Sequence, residues 1–303
     1  MEILRIFPNE IKSMITKQIK KTDNINEIRL RVNKEVLIKT TTSEIVLKDE
    51  DNTPYILSSS NLRTILEYVS NYSIYAYEDE IKQGYITIEG GHRIGLCGKV
   101  VLDEVGKIQT INYISSLNIR IASQRKGIAD DIIPNIINGD TIHHVLIISP
   151  PNYGKTTLLR DIVRQLSDGN KYISGMNVGL VDERSEIAAS YLGRACNDVG
   201  KRTDVLDGCP KTIGMLMLIR SMSPKVIAVD EIGSKEDVEA IRYVINSGCK
   251  IIATIHGNSL DEIMKKPYLD NLIKEHIFTK IIVIENNYKI KIIENIQNTK
   301  NVG

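Results

Sequence analysis

Apolar residues in the N-terminal part of the chain follow two different spacings. In residues 8–20, and again from Ser60, they stand three and four positions apart, which predicts amphipathic helices. In residues 25–32 they alternate with polar residues, which predicts a half-buried strand. A β-hairpin is predicted to turn at Gly90 and Gly91. This part of the chain therefore predicts a small domain of the α+β class.

Beyond residue 140, short uninterrupted apolar runs alternate with helical stretches. Strands that are buried on both faces have this pattern, because helices cover a parallel sheet on each side. A turn-rich stretch separates the two parts. We therefore predict an α+β N-terminal domain at residues 1–125, a linker at residues 126–140 and a larger α/β domain at residues 141–303. The runs that predict its strands are 145–148, 178–181, 226–229 and 251–255, and a final hairpin is predicted to turn at Asn286 and Asn287.

The composition is typical of a globular protein of the cytoplasm. Charged residues make up 25% of the chain, and no apolar run reaches the roughly 18 residues that a membrane-spanning helix needs. The first residues lack the pattern of a targeting segment. Lys and Arg number 39 against 38 Asp and Glu, a balance that argues against a dedicated nucleic-acid binder. The four cysteines form no Cys-x-x-Cys pair, so we expect neither a zinc module nor a disulfide framework.

The most informative segment, residues 144–160, carries an apolar strand into a loop and then into a helix. Gly154 lets the backbone approach a phosphate group, and the helix N-terminus attracts the anion. Lys155 is predicted to reach the β- and γ-phosphates of ATP as a catalytic residue, and the Thr156 hydroxyl to ligate Mg²⁺. A serine opens the loop where the general pattern has glycine. The predicted nucleotide-binding residues are Ser149, Pro150, Pro151, Asn152, Tyr153, Gly154, Lys155, Thr156 and Thr157.

Three further strands end in residues that can act on a phosphate. Asp230 is predicted to hold Mg²⁺ through water, and Glu231 to be the general base that activates the attacking water. Glu183 is predicted to be a second acid near the γ-phosphate, because strand ends in a doubly wound sheet face the ligand. His256 is predicted to sense the γ-phosphate. A surface turn at Glu183 and a structural histidine at 256 are the competing interpretations.

The phosphate loop, the two acidic strand ends and the strand ending in His256 follow a small N-terminal domain. In this order along the chain they resemble the secretion ATPase superfamily of type II and type IV systems. Within it, the likeness is to the stage III sporulation AA family of endospore-forming bacteria. The resemblance covers most of the chain and is carried by residues 26–31, 90–95, 149–161, 181–187, 202–210 and 219–224, the last leading into Asp230 and Glu231.

The resemblance implies a RecA-like P-loop NTPase domain, a hexameric ring of identical subunits, and docking on a membrane channel or secretion apparatus. It places the protein peripherally on the cytosolic face of a membrane, on the mother-cell side of the forespore envelope. It also implies N-terminal-domain arginines that reach the nucleotide, and Arg93 and Arg120 match those positions as catalytic residues. Arg184, Arg202 and Arg220 could act in trans or be structural ion-pair residues.

Three functions are consistent with these residues. The first is an ATP-hydrolysing motor of the secretion type. The second is a nucleic-acid-dependent ATPase of the RecA type, against which the balanced charge and the 5% aromatic content both argue. The third is a nucleotide-gated scaffold that does not hydrolyse ATP, against which the Asp230–Glu231 pair argues.

Overall fold

A computed structural model describes residues 2–19, 25–73, 77–122, 124–151, 153–285 and 289–295 of the chain. The chain divides into two compact units, residues 1–123 and residues 124–303. Each unit has a sheet and a core of its own. The predicted turn of the last hairpin, at Asn286 and Asn287, lies outside the described residues.

The first unit is an α+β structure built on an antiparallel sheet of six strands in the order β3-β2-β1-β6-β5-β4. Its helices are the 3₁₀ helix Glu2–Ile6, α1 (Asn9–Gln18), α2 (Ser59–Val69) and α3 (Glu78–Lys82). Its strands are β1 (Ile25–Arg31), β2 (Leu37–Thr40), β3 (Glu44–Val46), β4 (Tyr85–Ile88), β5 (His92–Leu102) and β6 (Ile108–Arg120).

One face of this sheet is apolar and the other is polar, because successive side chains of a strand point to opposite faces. Ile28 and Leu30 of β1 are fully buried, and they pack with the apolar stripes of α1 and α2. The N-terminus of α2 is stabilised by the Ser58 hydroxyl, which accepts a hydrogen bond from the backbone amide of Asn61. The alternation in residues 25–32 therefore predicted both the strand and its buried face.

The second unit is built on a seven-stranded sheet in the order β11-β10-β12-β13-β9-β14-β15, parallel except for the last pair. Its helices are α4 (Ile133–Ile136), α5 (Lys155–Asp168), α6 (Lys211–Met222), α7 (Lys235–Asn246), α8 (Leu260–Ile263) and α9 (Leu269–Lys274). Its strands are β7 (Ile137–Asn138), β8 (Thr141–Ile142), β9 (Val145–Ser149), β10 (Val178–Asp182), β11 (Thr203–Asp207), β12 (Val226–Val229), β13 (Lys250–His256), β14 (Lys280–Ile284) and β15 (Ile290–Glu294).

Two hydrophobic cores lie on opposite faces of this sheet. Val145 and Ile147 of β9 pack on the face that α5 covers, whereas Leu146 and Ile148 pack on the face that α7 covers. Strands β9, β10, β12 and β13 are buried along nearly their whole length, as the uninterrupted apolar runs predict. Because these four strands are parallel neighbours, their carboxyl ends meet at one edge of the sheet.

The segment predicted as a linker, residues 126–140, is packed into the second unit. Ile132, Ile133 and Ile136 are buried in the core beneath α5. The buried carboxylate of Asp161 on α5 accepts a hydrogen bond from the backbone amide of Ala129 at 3.0 Å. The glycine and proline of this stretch indicated turns correctly, but its spaced isoleucines supply an anchor that holds the segment against the domain.

Among the described residues, no helix is long and apolar enough to cross a membrane.

Candidate functional site

The predicted phosphate loop joins β9, an inner strand of the parallel sheet, to α5, the longest helix described in the second unit. Strand β9 ends at Ser149, and α5 begins at Lys155. Gly154 has a φ of +81°, a left-handed conformation that glycine adopts without strain. Ser149 is fully buried, and its hydroxyl donates a hydrogen bond to the Pro150 carbonyl at 2.9 Å. Asn152 lies outside the described residues, and the anion-binding roles of the loop residues stay a prediction.

Lys155 lies at the meeting point of three strand ends. Its side chain is only 4% exposed, and its ammonium group lies 3.3 Å from a carboxylate oxygen of Asp230. The same nitrogen lies 3.5 Å from Glu231 Oε1 and 3.5 Å from His256 Nε2. The structure thus brings together four of the predicted site residues, which are up to 101 positions apart in the sequence.

Asp230 follows β12 directly and is positioned by two hydroxyl groups. Its Oδ2 accepts a hydrogen bond from Thr156 Oγ1 at 3.2 Å, and its Oδ1 accepts one from Thr254 Oγ1. A hydroxyl and a carboxylate are both oxygen donors, the type that Mg²⁺ prefers, and Mg²⁺ sites commonly take only one or two carboxylates beside substrate phosphates. Thr156 and Asp230 therefore fit the predicted magnesium-binding role.

Glu231 is held in an unusual backbone conformation beside Asp230. Its φ is +52°, which is uncommon for a residue other than glycine and is found at sites where surrounding contacts impose it. Its backbone amide donates hydrogen bonds to Thr254 Oγ1 and to Asp230 Oδ1, both at 3.0 Å. The next amide, that of Ile232, donates to the Thr254 carbonyl at 2.9 Å. Thr254 therefore fixes the turn that aims the Glu231 side chain.

Cationic and polar partners surround the Glu231 carboxylate. Oε1 lies 2.6 Å from His256 Nε2, and Oε2 lies 2.5 Å from Arg184 Nη1. Burial raises the pKa of Glu231, but the positive charge of Lys155, the hydrogen bond from His256 and the charge of Arg184 outweigh it. The pKa therefore lies below its ordinary value. A carboxylate that stays ionised at neutral pH is suited to accept a proton.

The loop after β10 is organised by the buried carboxylate of Asp182. Asp182 is 2% exposed and accepts hydrogen bonds from three consecutive backbone amides, those of residues 186–188, at 2.8 to 3.0 Å. On the outer side of the loop, Arg160 of α5 donates to the carbonyls of Ile187 and Glu186 at 2.5 and 2.7 Å. The phosphate-loop helix and β10 thus hold the same loop from two sides.

The side chains at the start of this loop point to different partners. Glu183 forms an ion pair with Lys211, and Arg184 forms its ion pair with Glu231. A small cleft lies between the two acidic strand ends and is lined by residues of both. The proposed role of Glu183 beside a γ-phosphate stays a prediction, whereas Arg184 contacts the predicted general base of its own chain.

The other arginines named from the sequence belong to other helices, strands and loops. Arg93 and Arg120 stand opposite each other on β5 and β6 of the first unit, and the Arg93 guanidinium lies 3.8 Å from the centre of the Tyr85 ring. Arg202 donates to the Ser167 carbonyl at 3.0 Å, which is a structural contact. Arg220 is exposed near the end of α6. The catalytic roles of Arg93 and Arg120 stay predictions.

Sequence reasoning did not assign Thr254, Asp182 or Arg160 to the site. Thr254 interrupts an otherwise apolar strand two positions before His256, and a polar residue inside a fully buried strand is a usable signal. Asp182 ends a similar strand. No sequence pattern identifies Arg160, because its role depends on a carbonyl 27 positions away.

Asp182 gives the fold a pH dependence that can be tested. Burial raises the pKa of Asp182 to about 6, although its backbone hydrogen bonds oppose the rise, and the charge of Asp207 adds to it. Because the folded chain holds this proton more tightly than the unfolded chain does, the protonated carboxyl stabilises the fold at low pH. That stabilisation disappears as the pH rises through about 6.

We therefore expect the stability difference between wild type and Asp182→Asn to shrink from pH 5 to pH 7.5 by about 1 kcal/mol, or about 3 °C in the midpoint of thermal unfolding. Asp198→Asn is the matched control. The pKa of Asp198 is lowered, chiefly by its hydrogen bond from Lys126, so Asp198 is ionised at both pH values. The stability difference between wild type and Asp198→Asn should therefore be the same at pH 5 and pH 7.5. An equal pH dependence of stability in the two variants would contradict the raised pKa of Asp182.

The chain is similar to several known proteins. The family model described as "Sporulation stage III, protein AA" matches residues 1–302. Stage III sporulation protein AA of Bacillus subtilis (strain 168) is 40% identical over 281 residues, which are 92% of this chain and 89% of that protein. The protein SEEDLING PLASTID DEVELOPMENT 1 of Arabidopsis thaliana is 32% identical over 173 residues, which are 55% of this chain but 23% of the plant protein.

Two solved structures share the fold. The Legionella pneumophila ATPase DotB superposes with a TM-score of 0.56 at 15% identity, covering 88% of this chain and 75% of DotB. The pilus retraction motor PilT with bound ADP superposes with a TM-score of 0.61 at 14% identity, covering 96% of this chain and 81% of PilT. The predicted fold class, a RecA-like P-loop domain preceded by a smaller α+β domain, is confirmed.

Proposed function

The chain belongs to the sporulation stage III protein AA family, and from this premise we propose that it is an ATP-hydrolysing motor of the secretion type. We propose that it docks on a membrane channel complex during endospore formation, on the mother-cell side. The observation that carries the proposal is the convergence of Lys155, Thr156, Asp230, Glu231 and His256 at one edge of the parallel sheet.

In this proposal each group has a step in phosphoanhydride hydrolysis. The phosphates of ATP would bind at the N-terminus of α5, where free backbone amides and the helix dipole favour an anion. Lys155 would turn from the two carboxylates to the β- and γ-phosphates. Mg²⁺, held by Thr156 and by Asp230 through water, would neutralise phosphate charge.

Glu231 would then accept the proton of the attacking water. Its lowered pKa keeps it ionised, and its rigid backbone turn holds it at a fixed distance from the phosphate loop. His256 Nε2 donates a hydrogen bond to Oε1 of the same carboxylate and so orients it. The fixed position supports a general base, which first needs correct geometry, whereas the lowered pKa makes Glu231 a weaker base until a cationic partner moves away.

We further propose a homo-oligomeric ring, hexameric as the resemblance implies, in which Arg93 and Arg120 reach the nucleotide of the same or a neighbouring subunit. Cationic groups supplied across subunits stabilise the charge of phosphoryl-transfer transition states in other P-loop enzymes. We place the protein in the cytoplasm, on the face of a membrane where protein partners bind it. Nucleic acid is not proposed as a partner.

The steady-state rate of Mg²⁺-dependent ATP hydrolysis, measured over a wide range of protein concentration, tests this proposal. We expect the rate per subunit to rise with concentration, because assembly would complete sites that isolated subunits lack. A constant rate per subunit across ring assembly would contradict shared sites. Binding of ATP without turnover would favour the nucleotide-gated scaffold instead, and absence of binding would overturn the nucleotide site.

A further inference from the structure

Both carboxylate oxygens of Glu231 are already engaged by other side chains. Oε1 is shared by His256 at 2.6 Å and Lys155 at 3.5 Å, and Oε2 lies 2.5 Å from Arg184 Nη1. A general base must offer a free lone pair to the proton that it accepts. A carboxylate has about four lone-pair positions, so the movement of one of these partners would leave Glu231 more room to accept the proton of a water.

Arg184 is the most exposed of the three partners. Its side chain is 63% exposed, whereas those of His256 and Lys155 are 41% and 4% exposed. The backbone behind it is fixed, because Asp182 binds the amides of residues 186–188 and Arg160 binds the carbonyls of Glu186 and Ile187. A long, exposed side chain on an anchored loop can exchange partners without rearranging the fold.

The site also needs a positive charge where Arg184 stands. A γ-phosphate bound at the phosphate loop would bring several negative charges close to Glu231, and like charges at such distances repel strongly. A guanidinium presents five N–H donors in a planar fork, which matches a carboxylate and a phosphate equally well. The only other cation in contact with Glu231 among the described residues is Lys155, which the phosphate loop already uses.

We propose that Arg184 is a γ-phosphate ligand of its own subunit that exchanges between Glu231 and the nucleotide. In the arrangement described here it holds Glu231 Oε2; on binding of a nucleoside triphosphate it transfers to the γ-phosphate and releases that oxygen to the attacking water. A diphosphate has no γ-phosphate and leaves Arg184 on Glu231. This inference rests on the proposed ATPase function and assigns to Arg184 the discrimination between ATP and ADP.

The test is the affinity of the full chain for two nucleotides, Mg²⁺·ATPγS and Mg²⁺·ADP, measured by titration calorimetry. Arg184→Ala is expected to weaken ATPγS binding about 10- to 100-fold, the usual loss for a charged hydrogen bond, and to change ADP binding less than about twofold. Arg184→Lys should fall between, because lysine keeps the charge and loses the fork. Arg194→Ala, which removes an exposed arginine of the same segment, is the control and should change neither affinity.

The outcomes separate this inference from the function on which it rests. Equal weakening of both nucleotides by Arg184→Ala, or no weakening of either, would show that Arg184 serves Glu231 alone and would overturn the exchange, while the ATPase proposal stands. A wild-type chain that binds neither nucleotide would overturn both. Because the side chain is exposed, the thermal unfolding midpoint of the variant should match that of wild type, which removes misfolding as an explanation.

Discussion

Replacing Lys155 by alanine is expected to lower the rate of Mg²⁺·ATP hydrolysis about a thousandfold or more, the range seen when a preorganised cation is removed from a developing negative charge. The reason lies in its position between the acidic strand ends. Lys155 is 4% exposed and within 3.5 Å of both Asp230 and Glu231. Without it, the two neighbouring carboxylates lose their buried counter-ion and the phosphates lose their direct cation.

Nucleotide affinity should fall together with the rate, because the same ammonium group would bind the phosphates before and during the reaction. Steady-state hydrolysis and ADP titration on the same preparation measure both effects. Lys235→Ala is the matched control, since Lys235 is 60% exposed on α7 and pairs only with Glu239 of its own helix among its described contacts. Full activity of the Lys155 variant would remove this loop from the proposed reaction.

Replacing Glu231 by glutamine should separate the two effects, with hydrolysis lost and nucleotide binding kept. We expect the rate to fall about 10²- to 10⁴-fold, the usual contribution of a positioned general base. Glutamine keeps the length of the side chain and can still accept from His256, but its amide cannot take a proton. Affinity for ATP should be equal to or higher than that of wild type, because one negative charge beside the γ-phosphate is gone.

Single-turnover hydrolysis beside an ATP titration checks this separation of chemistry from binding. Glu236→Gln, at an exposed position in the first turn of α7, changes the same functional group outside the site and should leave the rate unchanged. If Glu231→Gln hydrolysed ATP at the wild-type rate, the base would have to be sought elsewhere, first at Glu183. If both Lys155→Ala and Glu231→Gln were fully active, the site would be assigned to the wrong edge of the sheet.

The site residues that stand just after the ends of strands could be predicted from the sequence. Uninterrupted apolar runs located β9, β12 and β13, and parallel neighbours must end at one edge, so Lys155, Asp230, Glu231 and His256 had to be close. The spacing of Ser234 and Asp237 is also a local signature of a helix start, and the structure shows a capping box between them at the start of α7. These features depend on local patterns and on one rule of sheet geometry.

Contacts between side chains and distant backbone could not be predicted in this way. The Arg184–Glu231 ion pair depends on how a loop folds, and that fold is set by Asp182 through amides that any residue would supply. The packing of residues 126–140 was missed for a related reason. Glycine and proline dominate the local signal there, whereas the isoleucines act only through the core that they meet in three dimensions.

The strand order affects how the protein can fold during its synthesis on the ribosome. Strand β9, which leads into the phosphate loop, pairs only with β13 and β14 in its sheet, and these are synthesised roughly a hundred residues later. The first unit draws all six of its strands from the first 123 residues and can mature during translation. The second unit can complete its sheet only after its late strands have been synthesised, so the strand before the phosphate loop stays unpaired for longer than the strands of the first unit.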